Sequence, residues 1–334
     1  MKVLIHKADH LGDFVLALPA LWELRQSLSH TSDIHQLVRK PNLEWQQILP
    51  WLGTLHPLNH PRYERYTHVP KLKLSFLALW QAIALRDNRY DWGIDLVSTC
   101  NDLLGKWLLI AAGCHKTSGP DGAHSWMLSR AYPQAEVHQT KLLADRFPKE
   151  WNIQGKARPE DFMPDELRWN SNDSEVILLA PFVGDPIKAW PYENWIKLFA
   201  ELSRNNIVKM MVPELDREKE NEFLSHFPHE SLVLVSSILE TLNLLKSVRC
   251  AIVLDTAAAH YAWLTGTPFI QLFSGTALAE RWAPISGGII MKCMPIESLI
   301  KPKMNLDEYY PSLNDISVDD VLEELGRFMK PIQS

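Results

Sequence analysis

The sequence predicts an α/β protein made of two Rossmann-like, doubly wound domains that face each other across a cleft. The chain of 334 residues is long enough for two domains, since a single domain usually holds roughly 100–200 residues. Short apolar strands alternate with helical patterns in both halves of the chain. A polar, proline-containing stretch at 156–174 separates the two alternating arrays and is the expected linker.

We therefore expect an N-terminal domain at 1–165 and a C-terminal domain at 175–315. The remaining residues, 316–334, are expected to form a C-terminal helix. This helix could pack back toward the N-terminal domain. The helix is acidic at its start and basic at its end, which suits the helix dipole.

In the first half, strands are predicted at 3–5, 33–38, 54–56 and 92–96, and helices at 14–28, 42–49, 74–86 and 101–112. Pro19 lies inside the first helical pattern, so a kink or a late helix start is expected there. Residues 57–73 are expected to form a basic, aromatic loop, and residues 115–140 an irregular segment.

In the second half, strands are predicted at 175–180, 208–212, 232–235, 250–254 and 269–273, and helices at 191–205, 216–226, 238–247 and 317–329. A further helix is expected between the last two of these strands. This alternation is typical of parallel sheets, in which each strand is followed by a crossover helix.

The composition indicates a globular protein, with 46% hydrophobic and 22% charged residues. A net charge of −6 does not favour nucleic-acid binding. The N-terminus has no cleavable signal pattern, and no apolar stretch is long enough to span a bilayer, so a cytoplasmic location is expected. Peripheral contact with the cytoplasmic face of the inner membrane remains open.

The four cysteines are Cys100, Cys114, Cys250 and Cys293. They form no CxxC pair, and each lies in or beside an apolar segment. We expect buried free thiols in a reducing compartment rather than disulfides or metal ligands.

The stretch VLDTAAAHYAWLTGTPFIQLF, at 253–273, combines a strand end, a turn, a helix and a second strand. Asp255 and Thr256 open the helix in the manner of an N-cap, and Gly266 to Pro268 close it. A helix that begins at the carboxyl end of a strand presents backbone N–H groups and a positive dipole end. The pattern therefore fits either an ordinary capped βαβ unit or a site for a phosphate or diphosphate.

The loop HKADHLGD, at 6–13, follows the first strand, where doubly wound sheets bind ligands. Asp13 precedes a helix, so it is either an N-cap or a general base that takes a proton from an attacking sugar hydroxyl. The dinucleotide fingerprint GxGxxG is absent from this loop.

Lys188 lies between a predicted strand and the helix at 191–205. A lysine beside a helix N-terminus is electrostatically unfavourable unless an anion lies there too. Lys188 is therefore either a phosphate contact or a solvated loop residue.

The basic, aromatic loop is either a solvated surface or a docking site for an anionic acceptor such as a phosphorylated glycolipid. Its basic residues are Arg62, Arg65, Lys71 and Lys73. The sequence contains no HExxH or DxD motif, no GxSxG elbow and no cysteine in a catalytic setting, so no metal site is expected.

Four segments, in this order along the chain, resemble glycosyltransferase family 9, the lipopolysaccharide heptosyltransferases. They are VLIHKADHLGDFVLALPAL, YDWGIDLVSTCNDLLGKWLLIAAGCHKTSG, KAWPYENWIKLFAEL and VLDTAAAHYAWLTGTPFIQLF. The resemblance covers most of the chain. It implies the two-domain GT-B architecture and an inverting, metal-independent transfer without cofactors. The implied donor is ADP-heptose, and the implied acceptor is a lipid A core or lipooligosaccharide.

The resemblance also implies roles for individual residues. Asp13 matches the catalytic base, Lys188 the lysine on the donor diphosphate, and Asp255 the acid that binds donor sugar hydroxyls. The helix start and the motif histidine match further donor contacts, at Thr256, Ala257, Ala258 and His260. Lys7 and His10, together with the four basic residues of the loop, are the expected acceptor contacts.

The chain departs from the family pattern at several positions. Ala257 stands where the family keeps a glycine, and a Cβ there could narrow the approach to a phosphate or force another backbone angle. Asp185 would repel a diphosphate if it faced inward. Glu214 and Asp216 are both candidates for the acid on the donor ribose, and LFSGT replaces the family's Leu-Phe-Gly-x-Thr at 272–276.

Two alternatives to a heptosyltransferase therefore remain. The first is a GT-B transferase with another nucleotide-sugar donor and another surface-glycan acceptor. The second is a degenerate, non-catalytic GT-B domain that acts as a binding protein.

Overall fold

The computed structural model describes residues 1–29, 31–59, 70–97, 103–122, 124–133, 135–170, 174–300 and 308–328. The chain divides into two compact units, Met1–Phe162 and Met163–Ser334. Each unit is an α/β structure with its own sheet and its own core.

The N-terminal unit has short strands alternating with helices. Its strands are β1 (Lys2–Lys7), β2 (Asp33–Val38), β3 (Thr54–Pro57), β4 (Trp92–Asp95), β5 (Lys116–Pro120) and β6 (Arg130–Tyr132). Its helices are α1 (Leu11–Val15), α2 (Leu18–Ser27), α3 (Trp45–Ile48), α4 (Lys71–Ile83), α5 (Leu103–Ala111), α6 (Gln139–Ala144) and α7 (Pro159–Phe162).

All six strands of this unit are parallel, in the order β3-β2-β1-β4-β5-β6. This is the doubly wound order in which the chain reverses its direction of growth between β1 and β4. Ligands of such sheets bind at the carboxyl ends of the strands beside that switch point. Both β1 and β4 are almost wholly buried, as expected for central strands covered by helices on both faces.

The structure confirms the first two strands and the late helix start at Pro19, which lies in the first turn of α2. The prediction of an irregular segment at 115–140 is wrong, because β5, β6 and the start of α6 lie there. Their sequences, KTSGP and RAY, carry little strand propensity, so pairing with a neighbouring strand decides their conformation.

The prediction of a loop up to residue 73 is also wrong, because α4 begins at Lys71, directly after Pro70. Lys71 and Lys73 are therefore helical. Arg62 and Arg65 lie outside the described residues.

The C-terminal unit repeats the same alternation. Its strands are β7 (Val176–Ala180), β8 (Ile207–Pro213), β9 (Leu232–Val235), β10 (Cys250–Leu254), β11 (Phe269–Phe273) and β12 (Gly288–Lys292). Its helices are α8 (Tyr192–Leu202), α9 (Asn221–Leu224), α10 (Ile238–Lys246), α11 (Ala257–Thr265), α12 (Ala279–Trp282) and α13 (Val318–Phe328).

Its parallel sheet has the order β12-β11-β10-β7-β8-β9, which is again the doubly wound order, with the switch point between β7 and β10. β12 and α12 were not predicted from the sequence. The helix predicted at 216–226 is shorter than expected, since only α9 and a 3₁₀ turn at Glu214–Asp216 form there.

The C-terminal segment packs within this unit. Val321 and Leu325 of α13 are buried in the core of the C-terminal unit, and the indole N–H of Trp190 donates to the carbonyl of Ile316 at 3.0 Å. Packing of this helix toward the N-terminal domain stays a prediction.

Cys114, Cys250 and Cys293 are free thiols, and burial raises the pKa of each to about 12. Cys100 lies outside the described residues. Within the described ranges, no helix has both the length and the apolar character needed to cross a membrane.

Candidate functional site

The carboxyl edge of the second sheet brings a lysine and an aspartate together at the switch point. Lys188 is the last residue of a 3₁₀ turn, Pro186–Lys188, that follows β7, and Asp255 directly follows β10. The Lys188 Nζ atom lies 2.8 Å from Oδ2 of Asp255 and 3.4 Å from its carbonyl oxygen. Asp255 is 9% exposed and Lys188 29% exposed, so the pair is largely desolvated on the acid's side.

A lysine just before a helix is electrostatically unfavourable unless an anion lies beside it. The carboxylate of Asp255 supplies an anion beside the partly exposed lysine, and a phosphate contact by Lys188 stays a prediction. Asp185 is exposed, and its carboxylate accepts a hydrogen bond from the N–H of Ile187 at 3.3 Å, which caps the 3₁₀ turn.

A hydroxyl relay holds the same carboxylate from its other side. The Ser274 hydroxyl, which is buried after β11, donates to Oδ2 of Asp255 at 3.0 Å and is 2.8 Å from the Thr276 hydroxyl. Gly275 between them permits this turn, because a Cβ there would lie 1.8 Å from the carbonyl oxygen of Met294. The backbone of the loop therefore packs directly against the backbone at Met294.

Helix α11 begins directly beside this carboxylate. Thr256 is its N-cap, with its hydroxyl accepting from the N–H of Ala258 at 3.3 Å. Gly266 ends the helix in the left-handed conformation, with φ of 78°. The predicted strand, cap and helix end are therefore confirmed.

Ala257 is the first helical residue and is not among the residues of positive φ, so the position does not require a glycine backbone. Ala258 and His260 are buried in the first turns of α11. The first N–H groups of a helix of this length have no partner within the helix, so they are oriented to receive an anion.

The acids that follow β8 lie in the same unit. Glu214 is exposed, whereas Asp216 is half-buried. Burial is the main cause that raises the pKa of Asp216; the nearby Lys219 lowers this pKa, and Glu220 raises it. The Tyr192 hydroxyl donates to Glu220 at 2.6 Å. Doubly wound folds place the acid that binds a ribose at the carboxyl end of the second strand, which is β8 in this unit.

The switch point of the first sheet is a buried charged cluster. The His6 Nδ1 atom lies 3.1 Å from Oδ1 of Asp95, and Lys106 Nζ lies 4.0 Å from Oδ2 of the same acid, with all three side chains fully buried. The Arg146 guanidinium donates to the carbonyl oxygens of Asp95 and Val97. Opposite charges and hydrogen bonds offset the desolvation of these groups.

The loop between β1 and α1 is held by a second buried pair. The ammonium of Lys7 lies 2.6 Å from Oδ2 of Asp9 and donates to the carbonyl of Leu96 at 3.1 Å. An acceptor contact by Lys7 would have to break this pair, because Lys7 is fully buried. His10 is exposed, and its Nδ1 lies 3.1 Å from the Arg39 guanidinium.

Asp13 is the third residue of α1, so its interpretation as an N-cap is wrong. The N-cap position belongs to His10, whose side chain makes no capping bond. Asp13 lies in the first turn, where the helix dipole stabilises a carboxylate. It is half-buried rather than sealed in the core.

The remaining basic residues lie at two places in the N-terminal unit. Lys71 and Lys73 are exposed in the first turn of α4. A recess of about 510 Å³ opens beside β2 and β3, and its lining includes Arg39 and Lys40. Sequence reasoning missed this recess, because Arg39 belongs to no recognisable motif.

Three further polar residues were also missed. Ser274 was visible as a departure from the family pattern, whereas Asp95 and Lys106 lie within apolar segments that predict only a strand and a helix. Across the described ranges, no three His, Cys, Asp or Glu side chains are grouped closely enough to hold a metal ion.

Two doubly wound units, each with charged side chains at the switch point of a parallel sheet, define an α/β protein of the GT-B class. The family model of glycosyltransferase family 9 (heptosyltransferase) matches residues 76–305, well over half of the chain. The protein belongs to this family and is a glycosyltransferase. The predicted fold class and family are thus confirmed.

Solved structures of the same fold include Escherichia coli heptosyltransferase WaaC with ADP, at 16% identity and a TM-score of 0.73, covering 98% of this chain and 100% of that one. E. coli ADP-heptose LPS heptosyltransferase II is similar at 17% identity and a TM-score of 0.69, with 98% of each chain covered. A family 9 glycosyltransferase from Veillonella parvula has 13% identity and a TM-score of 0.74, covering 98% of this chain and 96% of that one. No individual curated protein gives a significant match.

Proposed function

We propose that the protein is an inverting, metal-independent transferase that moves heptose from ADP-heptose to a lipopolysaccharide or lipooligosaccharide core acceptor. The observation that carries the proposal is the Lys188–Asp255 pair beside the start of α11 in a chain of the heptosyltransferase family. The WaaC structures named with ADP and with ADP-2-deoxy-2-fluoro heptose support the choice of donor.

The C-terminal unit binds the donor in this proposal. A diphosphate beside the first turn of α11 gains the helix dipole, the N–H of Ala257 and the ammonium of Lys188, and it shares the N–H of Ala258 with the Thr256 hydroxyl. Asp255 accepts hydrogen bonds from the sugar hydroxyls. Its carboxylate is held in place by the Ser274 hydroxyl. His260 lies behind this surface in α11, and Asp216 or Glu214 binds the ribose at the edge of β8.

Asp13 is the general base. Its carboxylate takes the proton from the acceptor hydroxyl as that oxygen attacks the anomeric carbon from the face opposite the leaving group. The bond from the anomeric carbon to the diphosphate oxygen breaks in the same step, and ADP leaves with the bonding electrons. A single displacement of this kind inverts the configuration of the sugar.

The developing charge on the departing diphosphate is stabilised by Lys188 and by the oriented N–H groups of α11. Preorganised donors of this kind contribute most where charge grows during the reaction. No metal ion is needed for that role in the proposed reaction.

The acceptor is anionic, so we assign it to basic residues of the N-terminal unit. His10 and Arg39 lie close together near Asp13 in the chain fold of this unit. We assign an acceptor phosphate to the recess lined by Arg39 and Lys40, on the side away from the lining carboxylate of Glu44. Further acceptor contacts in this proposal are Lys71 and Lys73, which are exposed in the first turn of α4. Arg62 and Arg65 remain predicted contacts. Lys7 acts indirectly, by holding Asp9 and the loop.

The test is a transfer assay with ADP-heptose and a heptose-free core acceptor, run with and without EDTA, with the product's anomeric configuration read by NMR. We expect an inverted product in both conditions and no product from Asp13→Asn, which keeps ADP affinity because it leaves the donor side unchanged. Asp87→Asn, an exposed acid of the same unit, is the matched control.

Turnover of Asp13→Asn at the wild-type rate would remove Asp13 as the base. Product from UDP- or GDP-sugars alone would establish a different donor. Absence of any nucleotide affinity would identify a non-catalytic binding protein and overturn the proposal.

A further inference from the structure

Helix α4 has two apolar faces, only one of which is covered. Leu74, Ala78 and Ala82 recur at helical spacing and are buried against the core of the N-terminal unit. On the other side, Leu72 is 70% exposed and Trp80 is 74% exposed. A helix that is apolar all round is normally buried, so the second face lacks a covering partner within the described chain.

Helix α5, which packs against α4, continues the same surface. Gly105, Leu108 and Leu109 are buried, whereas Trp107 is 46% exposed. We call the exposed apolar surface of both helices the α4–α5 face; it comprises Leu72, Phe76, Leu77, Trp80, Ile83, Leu103, Trp107 and Ile110. Exposed apolar patches beside charged residues mark interaction sites.

The described residues of α4 and α5 carry basic charges and no acidic ones, and the exposed Asp87 lies beyond the C-terminal end of α4. Residues 71–86 contain Lys71, Lys73 and Arg86 and no acid, and residues 103–112 contain no acid either, although the whole chain has a net charge of −6. Lys71 and Lys73 are exposed in the first turn of α4, beside Leu72. The α4–α5 face is therefore apolar, with two exposed lysines at the N-terminal end of α4.

We propose that the α4–α5 face docks the protein on the surface of an anionic phospholipid bilayer. Leu72, Phe76, Trp80 and Trp107 enter the boundary between headgroups and acyl chains, where indole rings are favoured. Lys71 and Lys73 lie against the lipid phosphates, and this electrostatic attraction adds to the apolar burial.

The lengths and charges of the helices favour this occupant over the alternatives. The helices span 13 and nine residues, which is too short to cross a bilayer but sufficient to lie along its surface. A contact between two copies would bring together two faces that lack any carboxylate, so no ion pair could form across it. The proposal does not depend on the identity of the sugar donor.

The test is co-sedimentation of the full chain with vesicles of phosphatidylcholine alone and with phosphatidylglycerol added. We expect binding to the anionic vesicles, at least fivefold weaker binding without phosphatidylglycerol, and a decrease with added salt. Phe76→Ser/Trp80→Ser should weaken binding at least tenfold. Lys71→Glu/Lys73→Glu should remove the preference for anionic lipid.

Trp126→Ser is the matched control, because Trp126 is 77% exposed but lies on neither helix. It should bind vesicles like the wild type, and circular dichroism should show that every variant is folded. Sugar transfer to a lipid-free acceptor separates a loss of docking from a loss of catalysis, since Phe76→Ser/Trp80→Ser should retain it.

Wild-type binding by Phe76→Ser/Trp80→Ser, or an equal loss in Trp126→Ser, would overturn the assignment of the face. A wild-type chain that binds neither kind of vesicle but forms dimers abolished by Trp80→Ser would show that a second copy covers it instead.

Discussion

Lys188 and Asp255 form an ion pair of 2.8 Å across the switch point of the second sheet, although 67 residues separate them in the chain. The pairing follows from the adjacency of β7 and β10, whose carboxyl ends place both residues at one edge. In the absence of donor each charge neutralises the other. In the proposed reaction, an incoming diphosphate competes with Asp255 for the lysine, and the sugar hydroxyls take the lysine's place on the carboxylate.

The first prediction concerns Lys188→Ala. Removing the ammonium deletes a charge-assisted contact to the diphosphate and leaves Asp255 without its counter-charge, so repulsion increases. We expect ADP to bind about 10- to 100-fold more weakly, since such a contact is worth about 1.5–3 kcal/mol. Isothermal titration calorimetry measures it.

Lys209→Ala is the control for this prediction, because Lys209 is in the same unit and donates only to the carbonyl of Glu230. Its ADP affinity should match the wild type. Equal affinities of Lys188→Ala and wild type would show that Lys188 does not contact the diphosphate.

The second prediction concerns Ser274→Ala, which removes the hydroxyl that donates to Asp255 at 3.0 Å. A hydrogen bond to a charged carboxylate contributes about 1.5–3 kcal/mol, so kcat/KM should fall roughly 10- to 100-fold. ADP affinity should stay within about twofold, because Ser274 orients the sugar-binding acid rather than the diphosphate site.

Ser225→Ala is its control, since that hydroxyl is exposed and donates to the carbonyl of Glu222. A parallel loss of ADP binding in Ser274→Ala would mean that the hydroxyl supports the whole loop and not the position of Asp255 alone.

The third prediction concerns stability. The Glu23 carboxylate, on α2, accepts hydrogen bonds from four consecutive backbone N–H groups at residues 154–157. Glu23→Ala leaves these donors without their acceptor, so we expect a loss of about 2 kcal/mol and a Tm lower by roughly 4–8 °C. Differential scanning calorimetry measures it.

Glu150→Ala is the comparison, because Glu150 pairs with Arg130 at an exposed site in the same unit. Exposed ion pairs contribute at most about 1 kcal/mol. If both variants lost the same stability, the anchoring role of Glu23 would be refuted.

The fourth prediction concerns pH. The His35 Nδ1 atom lies 3.0 Å from Nε2 of His56 and 2.9 Å from the Tyr90 hydroxyl, and burial lowers the pKa of both histidines below 6.5. Asp33 opposes this shift at His35, and Lys2 adds to it. The unfolded chain therefore takes up protons first as the pH falls through about 6.5, and the free energy of unfolding declines below that pH.

His56→Gln should show a shallower decline than the wild type between pH 8 and pH 5 in urea unfolding, because one of the two titrations is removed. The exposed His115 provides the control His115→Gln, whose decline should follow the wild type. A His56→Gln curve parallel to the wild type would assign the pH dependence to other groups.

The apolar central strands were predictable because burial on both faces requires a continuous apolar run, as in β7 (VILLA) and β10 (CAIVL). Strand β5 and the edge strands β6 and β12 were not predictable, because pairing with a neighbouring strand rather than local composition determines them. The start of α4 at Lys71 was also missed. The apolar periodicity predicts the helix only from Leu74 onward, and the basic residues of its first turn resemble the preceding loop in composition.

The candidate site was predictable in its chemical groups and not in its contacts. A capped helix after a strand indicated Asp255 and Thr256, and a lysine before a helix indicated Lys188. The partner of Lys188, the hydroxyl relay through Ser274 and the buried cluster at Asp95 depend on which strands are neighbours in each sheet. No local pattern encodes that order.

The sequence by itself determined two doubly wound units, their central strands and the capped helix start at Thr256, because hydrophobic periodicity and capping act over a few residues. Only the tertiary structure decided that Lys188 meets Asp255, that Asp13 lies within α1, that Lys7 is buried with Asp9, and that one face of α4 and α5 is left exposed by the described residues. These outcomes depend on strand order and on which surfaces the core encloses, and both are settled by contacts between residues far apart in the chain.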